Sequence, residues 1–401
     1  MIAIDNFTII LSCVVVAVAL WAALPANPLF RRFTPLTADD DSDTAGDPST
    51  TESDDKEESE GDALPKVSVV VVSDGTPEQM DAHIAAILTQ DYPTGFEVVA
   101  VIAKGDSATE DVLKRHALNT DRLYTTFVPG RSLFMSRAKL AVTIGVKAAH
   151  NEWVLVTNSR YAPVSDKWIA TMAANCADGT DNVAGYTNYT DEATDFQRFE
   201  RLREQSYFMR RALRSSALCS IGANLMFRKS RFISGDGFRG NLQFIQGEYN
   251  FLLNKYAEDG NTTVEARPEA WLMEDAPGRT TWRNEHMSFI NYRHKLNGIG
   301  SYRLLHCLDT FFMHAAWLLA IATAAVAAIM HNWVLLGAAV LAIVLTVVLR
   351  TAMVSRASRH YEAGIPTWKA VPLELRLFWS GVLCRTRYMA TDKHEFTSHK
   401  L

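Results

Sequence analysis

Three long apolar runs punctuate the chain. Phe7 to Leu24 (FTIILSCVVVAVALWAAL) holds eighteen residues without a charge, just enough, as a helix, to cross a hydrocarbon layer about 30 Å thick. Thr310 to Met330 and Trp333 to Leu349 flank His331-Asn332, so they predict a helical hairpin with almost nothing on its far side. No Lys or Arg precedes Phe7, and the first basic residues, Arg31 and Arg32, follow the run. A cleaved signal peptide wants a basic start, so a retained anchor is expected. Arg350 and the tail after it carry nine Lys or Arg against four acids. The basic excess places the C-terminus in the cytosol: a multi-pass inner (plasma) membrane protein with three spans, N-terminus outside, and residues 25 to 309 cytosolic.

Between the spans the periodicity changes. Residues 67–73 read VSVVVVS, the β-branched run of a parallel strand covered on both faces, and are followed by the turn Asp74-Gly75-Thr76-Pro77. Glu78 to Leu88 has helical spacing, Phe96 to Ala103 (FEVVAVIA) predicts a second buried strand, and Thr109 to Leu118 a second helix. Ser136 to His150 then reads as helix and Glu152 to Thr157 (EWVLVT) as strand. This alternation predicts an α/β fold with an open sheet, whose ligands bind at the carboxyl ends of the strands, just past Thr157.

Composition changes the picture in two places. The net charge of −5 is misleading, because Thr37 to Asp62 holds twelve acids and one Lys, a segment charge of −11 that leaves the rest at +6. That acidic stretch has no aromatic residue and cannot bury enough apolar surface to order itself, so it is expected to be a tether. Gly364 to Met389 interleaves Trp, Leu and Phe with Lys369, Arg376, Arg385 and Arg387. A helix lying in the membrane interface is expected there, with a packed surface helix as the alternative. The expected divisions are a transmembrane anchor at 1–30, an acidic disordered linker at 31–64, a cytosolic domain at 65–305, a two-helix transmembrane hairpin at 306–352 and a cytosolic tail at 353–401.

Five scattered cysteines form no CxxC pair, which argues against a disulfide scaffold or zinc site. No GxxxxGK[ST], GxGxxG, GxSxG or HExxH occurs, so triphosphatase, dehydrogenase, serine hydrolase and zincin readings have no foothold. The basic stretch around Arg201, Arg210, Arg211 and Arg214 is read as a solvated or membrane-apposed face rather than a nucleic-acid site, because no aromatic-interleaved motif accompanies it.

Four segments in order resemble the membrane-bound family 2 glycosyltransferases: VSVVVVS with its helix and QDYPTGFEVV; SRAKLAVTIGVKAAHNEWVLVTNSRYAPVSDKWI; GANLMFRKSRFISGDGF; and QGEYNFLLNKYA. The resemblance covers about residues 66 to 300, and the anchor and hairpin match that family's plan. It implies a GT-A fold, an open and mostly parallel sheet. It also implies inverting transfer of a hexosyl group from a nucleotide sugar to a lipid-linked or membrane-associated acceptor, in cell-envelope polysaccharide or glycan synthesis. The partners so implied are the nucleotide sugar, the acceptor and the bilayer, with no nucleic acid.

The resemblance also assigns residues, and several depart from the family pattern. Two carboxylates after the third strand usually hold Mg²⁺ or Mn²⁺, whose hard-oxygen preference suits diphosphate. Here the position reads Asn158-Ser159-Arg160, so no metal ligand is assigned. A guanidinium would repel a cation yet can meet phosphate through two hydrogen bonds, unless it is paired to an acid such as Asp166. The donor side is expected to comprise Asp74, Asp106, Asn158, Arg160 and Arg293, the last surviving from a Gln-x-x-Arg-Trp box that here reads Ile290-Asn291-Tyr292-Arg293-His294. Gln246-Gly247-Glu248-Tyr249-Asn250 leaves Glu248 as the general base. Gly222, Asn224, Gly247 and Trp282 are expected on the acceptor side. The lost carboxylates also support a rival: a catalytically inactive pseudo-glycosyltransferase serving as a binding or scaffolding partner, paired with an active glycosyltransferase.

Overall fold

A computed structural model describes residues 5–30 and 64–392, apart from 131, 133, 213–218 and 221. The acidic stretch and the last nine residues lie outside the described residues. The first helix, α1 (Asn6–Ala23), is capped by the Asp5 side chain. The sheet then opens as read: β1 (Val67–Val72), α2 (Pro77–Leu88), β2 (Phe96–Ala103), α3 (Ser107–Ala117), β3 (Leu123–Val128), α4 (Arg137–Ala148) and β4 (Trp153–Asn158). After it come β5 (Tyr161–Pro163), α5 (Trp168–Ala173), β6 (Asn182–Gly185), β7 (Thr187–Tyr189), α6 (Asp195–Ala212), β8 (Leu225–Arg228) and α7 (Lys229–Ser234). The series ends with α8 (Glu248–Tyr256), β9 (Thr262–Glu265), β10 (Leu272–Glu274), α9 (Arg279–Tyr292), α10 (Ile299–Ile329), α11 (Trp333–His360) and α12 (Ala370–Ala390).

Seven strands form one sheet in the order β3-β2-β1-β4-β8-β6-β9, and only β8 runs antiparallel to its neighbours. A small second sheet has the order β5-β10-β7. Every residue of β1 is buried, because its β-branched side chains alternate between two covered faces. Val70 and Val72 join the core beneath α4, α6 and α8, while Val69 and Val71 face Met80 and Ile84 of α2 and Trp168 of α5. The chain leaves β1 for β2 and β3 on one side and returns to β4 on the other. That reversal opens a crevice at the carboxyl edge, where Val72 lies level with Val101 and Asn158.

Three helices, α1, α10 and α11, are long and apolar enough to cross a membrane. Val15 and Ala19 of α1 pack on Ala320 and Ala342, small residues that let the backbones approach closely. Asn332, in the turn between α10 and α11, donates to Thr8 Oγ1 at 2.7 Å. The start of α1 and the hairpin turn therefore sit at the same end of the bundle.

Both hairpin helices run past the limits expected from hydropathy. α11 continues to His360, and Val354, Tyr361, Ala363, Ile365, Ala370 and Leu373 of the expected tail pack into the main core. α12 packs one face on the domain, which fits the alternative of a packed surface helix. Leu373, Glu374 and Cys384 face inward, while Trp379, Leu383 and Met389 are exposed. On α6, where a solvated or membrane-apposed basic face is expected, Arg201 and Arg203 are instead buried and ion-paired, Arg203 with Asp309 of the apolar helix α10.

Candidate active site

A cavity of about 560 Å³ opens at the crevice. Its floor is Val72, Ser73 and Asp74 from the end of β1, Val101 to Ala103 from β2, and Asn158 and Arg160 after β4; Gly222, Gln246 to Asn250, α6 and α9 supply the walls. The β1 and β4 ends are stitched together, since Ser159 N donates to Val72 O and Asp74 N donates to Ser159 Oγ, both at 3.0 Å.

Arg160 is the electrostatic centre of the floor. Its Nη2 lies 3.1 Å from Asp74, and its Nη1 lies 3.1 Å from Glu285 and 3.5 Å from Glu274. Burial opposes its charge, but these carboxylates more than compensate and hold the guanidinium protonated. Glu274 is shared with Arg201, which also donates to Thr187 Oγ1 at 2.9 Å and stacks 4.0 Å from the Tyr189 ring. Three acids face two guanidiniums, and burial pushes the Asp74 and Glu285 carboxyls upward against the pull of Arg160. Asp166, the acid named as a partner for Arg160, is not among its ion pairs; Asp74 after β1, Glu274 of β10 and Glu285 of α9 meet it instead.

This arrangement decides how the residues suit Mg²⁺ or Mn²⁺. A fixed guanidinium occupies the middle of the carboxylates that could otherwise converge on a cation, and Asn158 spends its Oδ1 on Arg160 N at 2.9 Å and also bonds the Tyr249 side chain. Among the described residues no cluster of three His, Cys, Asp or Glu is placed to hold a metal ion. The residues present do not fit the divalent cation.

Glu248 is the first residue of α8, set there by Gly247 at φ 90°. A Cβ at Gly247 would lie 2.6 Å from Tyr292 Cζ, so only glycine makes this turn against that ring. Burial raises the Glu248 carboxyl, opposed by a backbone hydrogen bond at its own helix end. Lys139, fully buried on α4, donates to Asn241 O at 2.7 Å and Phe244 O at 2.6 Å and so pins the loop that delivers Glu248. Burial lowers this ammonium to about 8, with Glu248 opposing the shift.

Of the residues assigned from sequence, Asp74, Asn158, Arg160, Gly222, Gly247 and Glu248 line the cavity. Four are placed otherwise. Asp106 caps α3, accepting from Thr109 N at 3.2 Å, and the cavity beside β2 is lined by Val101, Ile102 and Ala103. Asn224 is buried and ties strands together, donating to Tyr186 O at 3.0 Å and Ala270 O at 2.9 Å while accepting from Trp168 Nε1 at 3.1 Å. Arg293 follows α9 outside the cavity, where burial and then Arg303 disfavour its charge. Trp282 acts from behind the wall, donating from Nε1 to Glu200 Oε2 at 3.0 Å and stacking 4.1 Å from His286.

Sequence reading missed Glu200, Arg201, Glu204, Glu274, Glu285 and His286, all of which line the cavity. The available signal was the 200–204 stretch, where two acids one helical turn apart flank Arg201 and Arg203.

No family model matches the chain, and no curated protein does. Among solved structures it is similar to the mannosyltransferase PcManGT from Pyrobaculum calidifontis in complex with GDP-Man and Mn2+, at 15% identity and a TM-score of 0.47, over 88% of this chain and 97% of that one. A likeness this distant carries no weight in assigning function.

Proposed function

We propose that the chain is a membrane-bound, family 2-like glycosyltransferase of GT-A type, moving a sugar from a nucleotide sugar to a lipid-linked or membrane-associated acceptor in cell-envelope glycan synthesis. One observation supports this above the others: all four segments that carry the resemblance converge on a single cavity. Val72 and Ser73 come from the first, Arg137, Asn158 and Arg160 from the second, Gly222 from the third, and Gln246 to Asn250 from the fourth. Chance similarity in four separate segments gives no reason for them to meet in space.

In this reading the nucleotide lies over the carboxyl ends of β1 and β2, and the diphosphate lies toward Arg160 with Asp74, the most exposed of its partners, moving aside. Transfer breaks the bond from the anomeric carbon to the diphosphate oxygen as the acceptor oxygen attacks that carbon. Asn332 bonding Thr8 keeps the N-terminus and the hairpin turn at one end of the bundle, as three spans require; that this end is outside and the domain cytosolic is read from the distribution of Lys and Arg. Melting shifts with a panel of nucleotide sugars, followed by release of nucleoside diphosphate, test the proposal. Neither binding nor release with any donor would overturn it. Binding without release would favour the pseudo-glycosyltransferase reading, which draws its support from the engagement of Arg160 by three carboxylates.

A further inference from the structure

We propose that Glu204 is the carboxyl that receives the acceptor's proton, with the neighbouring Glu200–His286 pair as positioning residues. The assignment rests on the sugar-transfer reading and gives its proton a destination other than Glu248.

Glu200 and Glu204 stand one turn apart on α6 and both line the cavity, facing His286 of α9. His286 Nδ1 lies 2.7 Å from Trp282 O, and its Nε2 lies 2.9 Å from Glu200 Oε2. A backbone carbonyl can only accept, so Nδ1 carries a hydrogen, and the carboxylate opposite Nε2 favours a second. The ring is an imidazolium, and Glu200, which also accepts from Trp282 Nε1, is committed to holding it.

Glu204 is placed for a different task. Its Oε1 accepts from the Tyr302 hydroxyl at 3.2 Å, which leaves Oε2 for a ligand. In Glu248, by contrast, Oε2 is buried and has no partner among the described residues. The groups facing Glu204 are Glu200 and Arg201 on α6, His286 and Tyr292 on α9, Tyr302 on α10, and Cys219. Burial and then Glu200 push its carboxyl up to about 7, against the pull of His286 and Arg201. A base that titrates near the working pH is both ionised and basic enough to take a hydroxyl proton as its oxygen attacks. Tyr302 sits in the first turn of α10, the helix that continues into an apolar span, so this wall is the one joined to the membrane helices. A hydroxyl presented from the bilayer would arrive there.

The step balances. The acceptor O–H bond breaks and the proton goes to Glu204 Oε2; the oxygen bonds the anomeric carbon, and the carbon–oxygen bond to the diphosphate breaks with its electron pair leaving on the nucleoside diphosphate.

The test uses the full chain in nanodiscs with UDP-glucose, UDP-N-acetylglucosamine and GDP-mannose as donors, native membrane lipid extract as acceptor, and nucleoside diphosphate release followed from pH 5 to 9. Glu204→Gln should lose about 100-fold to 10,000-fold in kcat. Its calorimetric Kd for nucleoside diphosphate should be unchanged, and the acid limb with its midpoint near 7 should vanish. If that variant does not fold, Tyr302→Phe removes a single donor to the carboxylate and should move the limb to higher pH. A wild type that turns over no donor overturns the transfer reading and this step with it. An active wild type with an unaltered Glu204→Gln profile, or a Tyr302→Phe limb that stays in place, overturns the role of Glu204 alone.

Discussion

Replacing Arg350 by Met should destabilise the protein strongly. Arg350 is fully buried in α11 and touches three other helices. Its Nη1 donates to Ala22 O at the end of α1 at 2.7 Å, its Nη2 meets Asp309 of α10 at 2.9 Å, and its Nε meets Glu374 of α12. Asp309 has a second partner in Arg203 of α6, whereas Glu374 already has one buried oxygen, Oε1, without a partner among the described residues. Two cations and two anions balance. Arg350→Met leaves Asp309 paired but strands Glu374 as an uncompensated buried charge, and breaking a buried pair in this way costs about 3–5 kcal/mol. Adding Glu374→Gln removes the stranded charge. The double variant should therefore recover most of the loss, retaining the cost of about 1–3 kcal/mol for the unpaired Ala22 carbonyl. Denaturant titration in detergent micelles, followed by tryptophan fluorescence, gives the stabilities of wild type, Arg350→Met, Glu374→Gln and the double variant, the four corners of the cycle. A loss below about 1 kcal/mol in Arg350→Met, or a double variant no more stable than the single, would refute the reasoning.

Glu248→Gln should retain nucleotide-sugar binding and, if Glu204 takes the proton, lose less turnover than Glu204→Gln; the two pH profiles measured side by side decide this. Nucleoside diphosphate binding in wild type should be unaffected by chelator and disappear in Arg160→Ala, as read by calorimetry, because the guanidinium occupies the centre of the carboxylates. Burial opposes the charge on His286, but Glu200 outweighs it and raises the ring to about 9. The stability from that pair is thus fully present below the ordinary 6.5 and lost as pH rises through about 9. Melting temperatures from pH 6 to 10 should fall in wild type and stay flatter in His286→Gln. Reporter fusions at Asp62 and at Leu401 should both signal cytosol, and an external signal at either would overturn the orientation.

Much of the frame follows from the chain alone. An eighteen-residue uncharged run has few fates besides a spanning helix, and an uninterrupted β-branched run followed by a turn and helix spacing has few besides a parallel strand and its crossover. So α1, β1, α2, β2, α4 and β4 fall within a residue or two of their expected limits. β3 was not legible because LYTTFV neither alternates nor forms an unbroken apolar run: at the sheet's edge only Leu123 and Val128 are buried, while Tyr124 and Phe127 are exposed. The site divides along the same line. Gly222, Gly247, Glu248, Asn158 and Arg160 stand in local motifs, a turn, a helix start or a strand end, that can be read from neighbouring residues. The partners of Arg160 come from three separate elements, at 74, 274 and 285, and those of Arg350 from residues 22, 309 and 374. In sequence Arg350 is one more cytosolic positive charge and Arg201 one more solvated one. Only tertiary packing, of α6 against the sheet and of α11 against α1, α10 and α12, removes water from both, and once water is gone each charge must find its counter-charge across the fold.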